Sequence, residues 1–268
     1  MFNPMKPLLL LLTLVLRLSA APDWQKELTS PALGPHPRLA PTAVEYRLSW
    51  KGLLDSGTLH IDFGLPGANK PGAYVVRSYA SSQGAAARLY RYKHDFWSEL
   101  DPSTLRPRLF HAVETDPKET VTYTIRHFPD RVESRESTRS LKTGKTTDKD
   151  QTFKFAPAFD LFSAMLHIRS QKLAAGDTIT LLVHPFDNPY LLRARVVGRE
   201  VHDGRNAIRL SVGMRKIDRD TLELRPYKKL KSDATLWLSD DDDRIPLEFR
   251  AAVFIGDVRA TLTLQQKL

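Results

Sequence analysis

The chain has 268 residues, with 40 lysines and arginines against 31 aspartates and glutamates, a net charge of +9, and no cysteine. The absent thiols exclude disulfides, a cysteine nucleophile and cysteine metal ligands. Stability must then come from core burial, which a chain of this length can supply.

The chain opens "MFNPMKPLLLLLTLVLRLSAAPDW". One early cation, Lys6, precedes an apolar run from Leu8 to Leu16, and the small residues Ser19, Ala20 and Ala21 follow. That order predicts a secretory signal peptide over residues 1–20, cleaved near Ala20. The apolar run is nine residues long, short of the roughly 20 that a membrane span needs. The expectation is therefore an exported protein, periplasmic or extracellular, that is not integral to the membrane after cleavage. Losing Lys6 and Arg17 leaves a charge near +7. Export, and cations spread along the chain, argue against nucleic acid as a partner.

Residues 21–42 carry Pro22, Pro31, Pro35, Pro37 and Pro41 and read as an irregular lead-in. Period-two alternation then takes over. Val44, Tyr46, Leu48 and Trp50 fall on one face of a predicted strand, and Leu59, Ile61 and Phe63 on one face of the next. Ile208, Leu210, Val212 and Met214 repeat the pattern, as do Val258, Ala260, Leu262 and Leu264. One buried and one wetter face is the habit of antiparallel sheets. Turn signals separate the runs, among them "GLPGANKPG" at 64–72 and "DG" at 203–204. The prediction is a mainly β protein: one large curved antiparallel sheet or open β-barrel over residues 43–268, with one or two short helices packed on it.

Two stretches break the alternation. "QGAAARLYRY" at 83–92 suits a short helix. "PAFDLFSAMLHIRSQKLAAGD" at 157–177 is a clearer one, with Leu161, Met165 and Ile168 as its apolar stripe, Pro157 ahead of it and Gly176 placed to end it. Such a stripe predicts a helix over about 158–171 that covers the concave face of the sheet and walls any cavity there.

The acidic run in "LWLSDDDDRIPLEF" reads as a solvated hairpin turn between two strands. Consecutive aspartates cannot all aim at one calcium ion, and the spaced calcium-loop pattern is absent. Asp160, Ser163 and His167 share a helix face, but nothing marks an oxyanion hole, so a polar helix face is the simpler reading. The eight histidines form no zinc motif, and neither a nucleophile elbow nor a nucleotide loop is present. No catalytic residue, metal ligand or cofactor is assigned. Two basic stretches, "RSLKTGKTTDK" at 139–149 and "RPYKKLK" at 225–231, are solvated loops or contacts to anionic envelope material such as lipid headgroups or acidic polysaccharide. In "LYRYKHDFWSEL" the aromatics serve core packing or line a pocket for a lipid or glycan. Candidate ligand contacts are Tyr90, Tyr92, Trp97, Met165 and Trp237.

"VEYRLSWKGLLDSGTLHI", "DLFSAMLHIRSQKLAAGD" and "LWLSDDDDRIPLEFRAAVFIGDV", in that order, resemble the exported bacterial domain of unknown function 3108. The resemblance runs from about residue 42 to the end. It implies a secreted or periplasmic protein rich in antiparallel β structure and supplies no catalytic residue. The expected function is non-enzymatic binding of a lipid, glycan or protein partner of the cell envelope. The alternative is a hydrolase of envelope polysaccharide using carboxylates that the sequence does not single out.

Overall fold

The computed structural model describes residues 22–36, 39–67, 72–253 and 256–268. The leader expected at residues 1–20 lies outside the described residues. Fifteen strands and two helices follow one another as β1 (Thr42–Trp50), β2 (Leu54–Pro66), β3 (Tyr74–Ser82), α1 (Gly84–Leu89), β4 (Lys93–Leu100), β5 (Pro107–Thr115), β6 (Glu119–His127), β7 (Val132–Ser140), β8 (Thr146–Phe153), α2 (Leu161–Ser170), β9 (Thr178–Val183), β10 (Tyr190–His202), β11 (Arg205–Ile217), β12 (Leu224–Pro226), β13 (Ala234–Ser239), β14 (Pro246–Val253) and β15 (Gly256–Lys267).

All fifteen strands belong to a single antiparallel sheet. Its order is β8-β7-β6-β5-β4-β3-β2-β1-β15-β14-β13-β11-β10-β9, with β12 paired to the end of β11. Neighbours follow each other in the chain except where β13 meets β11 past β12 and where β1 meets β15, which ties the start of the sheet to its end. The sheet curls but does not close, because β8 and β9 remain edges. β9 is partly covered: Phe159 bridges Val183, and the amide of Thr29 donates to the carbonyl of Thr180 at 2.9 Å. The lead-in is irregular in backbone yet fastened down, since Trp24 is buried and its indole N–H donates to the carbonyl of Leu222 at 2.8 Å.

Alternation places the side chains as the sequence implies along most strands. One exception bears on the site. At the end of β1, Trp50 is 39% exposed while Ser49 is buried, so Trp50 does not share the burial of Val44 and Tyr46; beside it the register of β1 against β2 shifts, with Ser56 of β2 as the extra residue.

Helix α2 corrects two expectations. It stops at Ser170, well short of Gly176, and it shows no single apolar stripe. Leu161, expected in that stripe, is exposed, and Met165 is half-buried. Phe162 and Leu166 join one core cluster, on the β1–β8 side, while Ala164 and Ile168 join a second built on β9, β10, β11 and β13. The helix lies inside the curl with sheet on both sides, so nearly its whole surface is buried. A cap fixes its start: the Asp160 carboxylate accepts from the Ser163 amide at 2.7 Å, and the Ser163 hydroxyl accepts from the Asp160 amide at 2.8 Å.

Asp160, Ser163 and His167 are therefore not a solvated polar face. All three are fully buried. Burial pushes the Asp160 carboxyl up, against the hydrogen bonds from Ser98 and Ser163, and pushes the His167 imidazole down to about 4. The Ser163 hydroxyl is committed to the cap, so no nucleophile–base pair exists here.

Candidate functional site

The β1–β2 turn, helix α1, the β5–β6 turn and the β7–β8 turn come together at one end of the sheet. The Gln83 amide donates to the carbonyl of Ser56 at 3.0 Å, the Tyr90 hydroxyl to Asp116 at 2.6 Å, and the Leu141 amide to the carbonyl of Lys118 at 2.8 Å. Between α1 and the ends of β1, β2 and β3 runs a groove of about 510 Å³. Leu48, Leu54, Ala80, Ala86, Leu89 and Val258 form its apolar walls, with Trp50, Tyr90 and Tyr92 at the edges. No charged side chain lines it.

Local sequence explains this geometry. Alanines at 85–87 make α1 helical, and Gly84 opens it with a φ of +54°. With no residue of α1 buried, the helix lies over the groove without filling it. Gly256, at φ +126°, starts β15 against the Trp50 indole, and a Cβ there would collide with that ring. Trp50 thus keeps its place at the rim because position 256 has no side chain.

Beneath the groove the concave wall becomes polar. The Tyr92 hydroxyl donates to Glu114, and burial together with that bond pushes the phenol far up. His94 stacks on Phe96 with ring centroids 4.0 Å apart and meets the Ser78 hydroxyl at 3.1 Å. Burial lowers the His94 imidazole to about 4, so it is neutral at physiological pH.

Of the five sequence candidates, Tyr90 and Tyr92 line the groove and the other three do not. Trp97 alternates with the buried Phe96 and Ser98 and so faces away from the core, beside His111. Met165 packs against the core cluster from α2. Trp237 sits on the outer side of β13, stacked on His202 at 4.3 Å with the Arg250 guanidinium 4.9 Å from its ring centre. Its indole N–H donates to Glu200 at 2.7 Å. An apolar helix spacing or a lone aromatic does not reveal which face of a curled sheet it serves. The sequence reading missed Trp50, Leu54 and Leu89 as groove residues, because Trp50 was read as a strand residue, Leu89 as a helical one, and Leu54 carried no signal beyond being apolar near a turn.

Beside Trp237, the ligand atoms of His202, Asp203 and Glu248 lie within 4.8 Å of one another. Desolvation pushes the Glu248 carboxyl up, but hydrogen bonds from Arg250 and His202 outweigh it and hold the group below the usual range. A cation placed there would have to displace or face the Arg250 guanidinium, so the cluster reads as a neutralised network. The Asp240–Asp243 segment forms the β13–β14 turn and sits at the opposite end from the groove.

These features define an open, barrel-like antiparallel β protein with one helix held inside the curl and an apolar groove at one mouth. The chain belongs to the family described as protein of unknown function (DUF3108), whose model matches residues 45–263. Among solved structures, it is similar to a β-barrel-like protein of domain of unknown function DUF1849 from Brucella abortus. That likeness has a TM-score of 0.55 at 11% identity over 87% of this chain and 99% of the other, and it concerns the fold alone. A candidate lipoprotein from Parabacteroides distasonis aligns over 88% of this chain and 99% of its own, at 7% identity and a TM-score of 0.31. No curated protein matches the chain in sequence. Among the described residues, no helix is long and apolar enough to cross a membrane.

Proposed function

We propose that this protein is an exported, non-enzymatic component of the cell envelope that holds an apolar chain, such as a lipid acyl chain, in the groove beneath α1. The observation that carries this reading is the groove itself: about 510 Å³ with no charged lining residue. That volume falls within the range of about 300–1,000 Å³ usual for small-molecule sites. An empty apolar groove of this size leaves carbon surface in water at roughly 25 cal/mol per Å², and an acyl chain would remove that cost. The leader pattern at residues 1–20 supports export.

Native mass spectrometry of protein purified gently from its own cells tests the reading. The parent should retain a lipid, and Ala86→Trp, which fills the groove from α1 without touching the core, should abolish retention at an unchanged thermal midpoint. A parent that carries no lipid and also fails to bind an apolar fluorescent probe would sink the proposal.

A further inference from the structure

We propose that the groove end of the molecule is a docking surface for an anionic lipid bilayer. The proposal stands on residues outside the groove walls and goes beyond the ligand reading. Large apolar side chains are exposed in successive turns at this end: Leu53 (89%), Leu89 (87%), Leu141 (51%) and Tyr90 (51%), beside the Trp50 rim. Scattered single residues of this kind are ordinary, but several along one end of a sheet mark an interaction surface.

What covers them is indicated by charge. The turns around the groove carry exposed cations: Lys51 between β1 and β2, Arg88 and Arg91 at α1, Lys118 between β5 and β6, and Lys142 and Lys145 between β7 and β8. Lys228, Lys229 and Lys231 join them, because Leu230 bridges Val253 and the Lys231 amide donates to the carbonyl of Ala252 at 2.8 Å, at the same end of β14. The two basic stretches of the sequence, far apart along the chain, thus lie at the same end of the sheet. Among the described residues, none of these cations has a carboxylate partner, whereas nearby Asp55 pairs with Arg47 and Asp257 with Arg259. At the opposite end, Asp101 and Asp130 are paired with Arg108 and Arg131, and Asp220, Glu223 and Asp233 also lie at the groove end, away from the groove itself. An end at which unpaired cations surround exposed apolar turns is attracted by a negatively charged surface and can insert those turns into it. The groove mouth would then open toward the lipid.

Flotation of the purified protein with vesicles tests this. Phosphatidylglycerol–phosphatidylcholine vesicles should carry the protein at low salt, pure phosphatidylcholine vesicles should carry far less, and raising the salt should release it. Lys142→Glu with Lys145→Glu should weaken binding by about fivefold or more for each site changed. Leu53→Asp with Leu141→Asp should weaken it at least tenfold, and Asp242→Asn at the far end should leave it unchanged. Circular dichroism confirms that each exposed-site variant is folded. No flotation of the parent on anionic vesicles, equal flotation on neutral ones, or indifference to both pairs of changes would overturn the proposal. Probe binding measured without vesicles keeps the two readings apart: lost flotation with retained probe binding removes only the docking surface, and the reverse removes only the groove ligand.

Discussion

Arg169 and Arg244 each grip the main chain of the other's segment. The Arg169 guanidinium, at the end of α2, donates to the carbonyls of Asp243 at 2.9 Å and Asp242 at 3.0 Å. In return the Arg244 guanidinium donates to the carbonyl of Arg169 at 3.0 Å, to that of Lys172 at 3.2 Å, and to that of Gln171. Both side chains are buried. The carbonyls left over at the end of a helix need partners, and Arg244 supplies them, which is why α2 can end at Ser170 without a glycine. The acidic turn therefore contributes its backbone oxygens to the fold more than its carboxylates.

Arg244→Met is expected to cost about 3 kcal/mol or more, because it strands several buried carbonyls at about 1–3 kcal/mol each. Arg169→Met should cost a similar amount. The double variant should fall short of the sum by at least about 0.5 kcal/mol, since either change opens the same clasp. Urea unfolding of the four proteins measures this, and strict additivity would show that the two arginines act independently.

Within the turn itself the aspartates should not be equivalent. Asp242→Asn and Asp243→Asn should each change stability by less than about 1 kcal/mol, because the Asp243 pairing with Lys267 is a surface ion pair. Asp241→Ala should cost about 1–2 kcal/mol, since its carboxylate accepts from the Ser239 hydroxyl at 2.7 Å and the Arg244 amide at 2.9 Å. A thermal midpoint that rises with added calcium in the parent alone would instead make the turn a metal site.

The orientation of α2 predicts a ranking. Leu166→Ala, fully buried, should cost about 2–5 kcal/mol. Met165→Ala, half-buried against the core, should cost less, and Leu161→Ala should stay within about 0.5 kcal/mol. If Leu161→Ala proves as costly as Leu166→Ala, the helix does not lie between the two halves of the sheet as described.

Acid should unfold the protein in a defined window. Burial lowers His94 and His167 to about 4, and His127 and His184 to about 3. Each folded value lies below the ordinary value of about 6.5, so below that pH the unfolded chain binds more protons. Stability is thus whole above about pH 6.5 and falls as the pH drops toward 4 and then 3, by up to about 1.4 kcal/mol per pH unit for each imidazole. Asp160, raised by burial, works in the opposite sense. Thermal midpoints between pH 7.5 and about 4 check this; a flat profile across that range would mean that the histidines are not held neutral.

Most of the sheet was legible because one face is buried and the other wet, and a two-residue period records that directly. Val44, Tyr46 and Phe63 needed no further information. Trp50 was misplaced because alternation does not show that it ends β1 at the rim of the groove. In the groove, Tyr90 and Tyr92 could be nominated as aromatics beside a short helix, while Leu89 could not, since a leucine in an alanine-rich helix ordinarily signals burial.

By itself the sequence determined the antiparallel sheet, the two helices and the turn at Asp240–Asp243. Each is written in local composition or in a short period, and local rules suffice to read it. Tertiary structure alone decided that α2 is enclosed by both halves of the sheet, that Arg169 and Arg244 hold its end across more than 70 residues, and that Lys142, Lys51 and Lys229 gather around one apolar mouth. Those relations depend on how far the sheet curls and which strands become neighbours. That curl sums small twists and bulges over fifteen strands, and no short stretch of the chain encodes it.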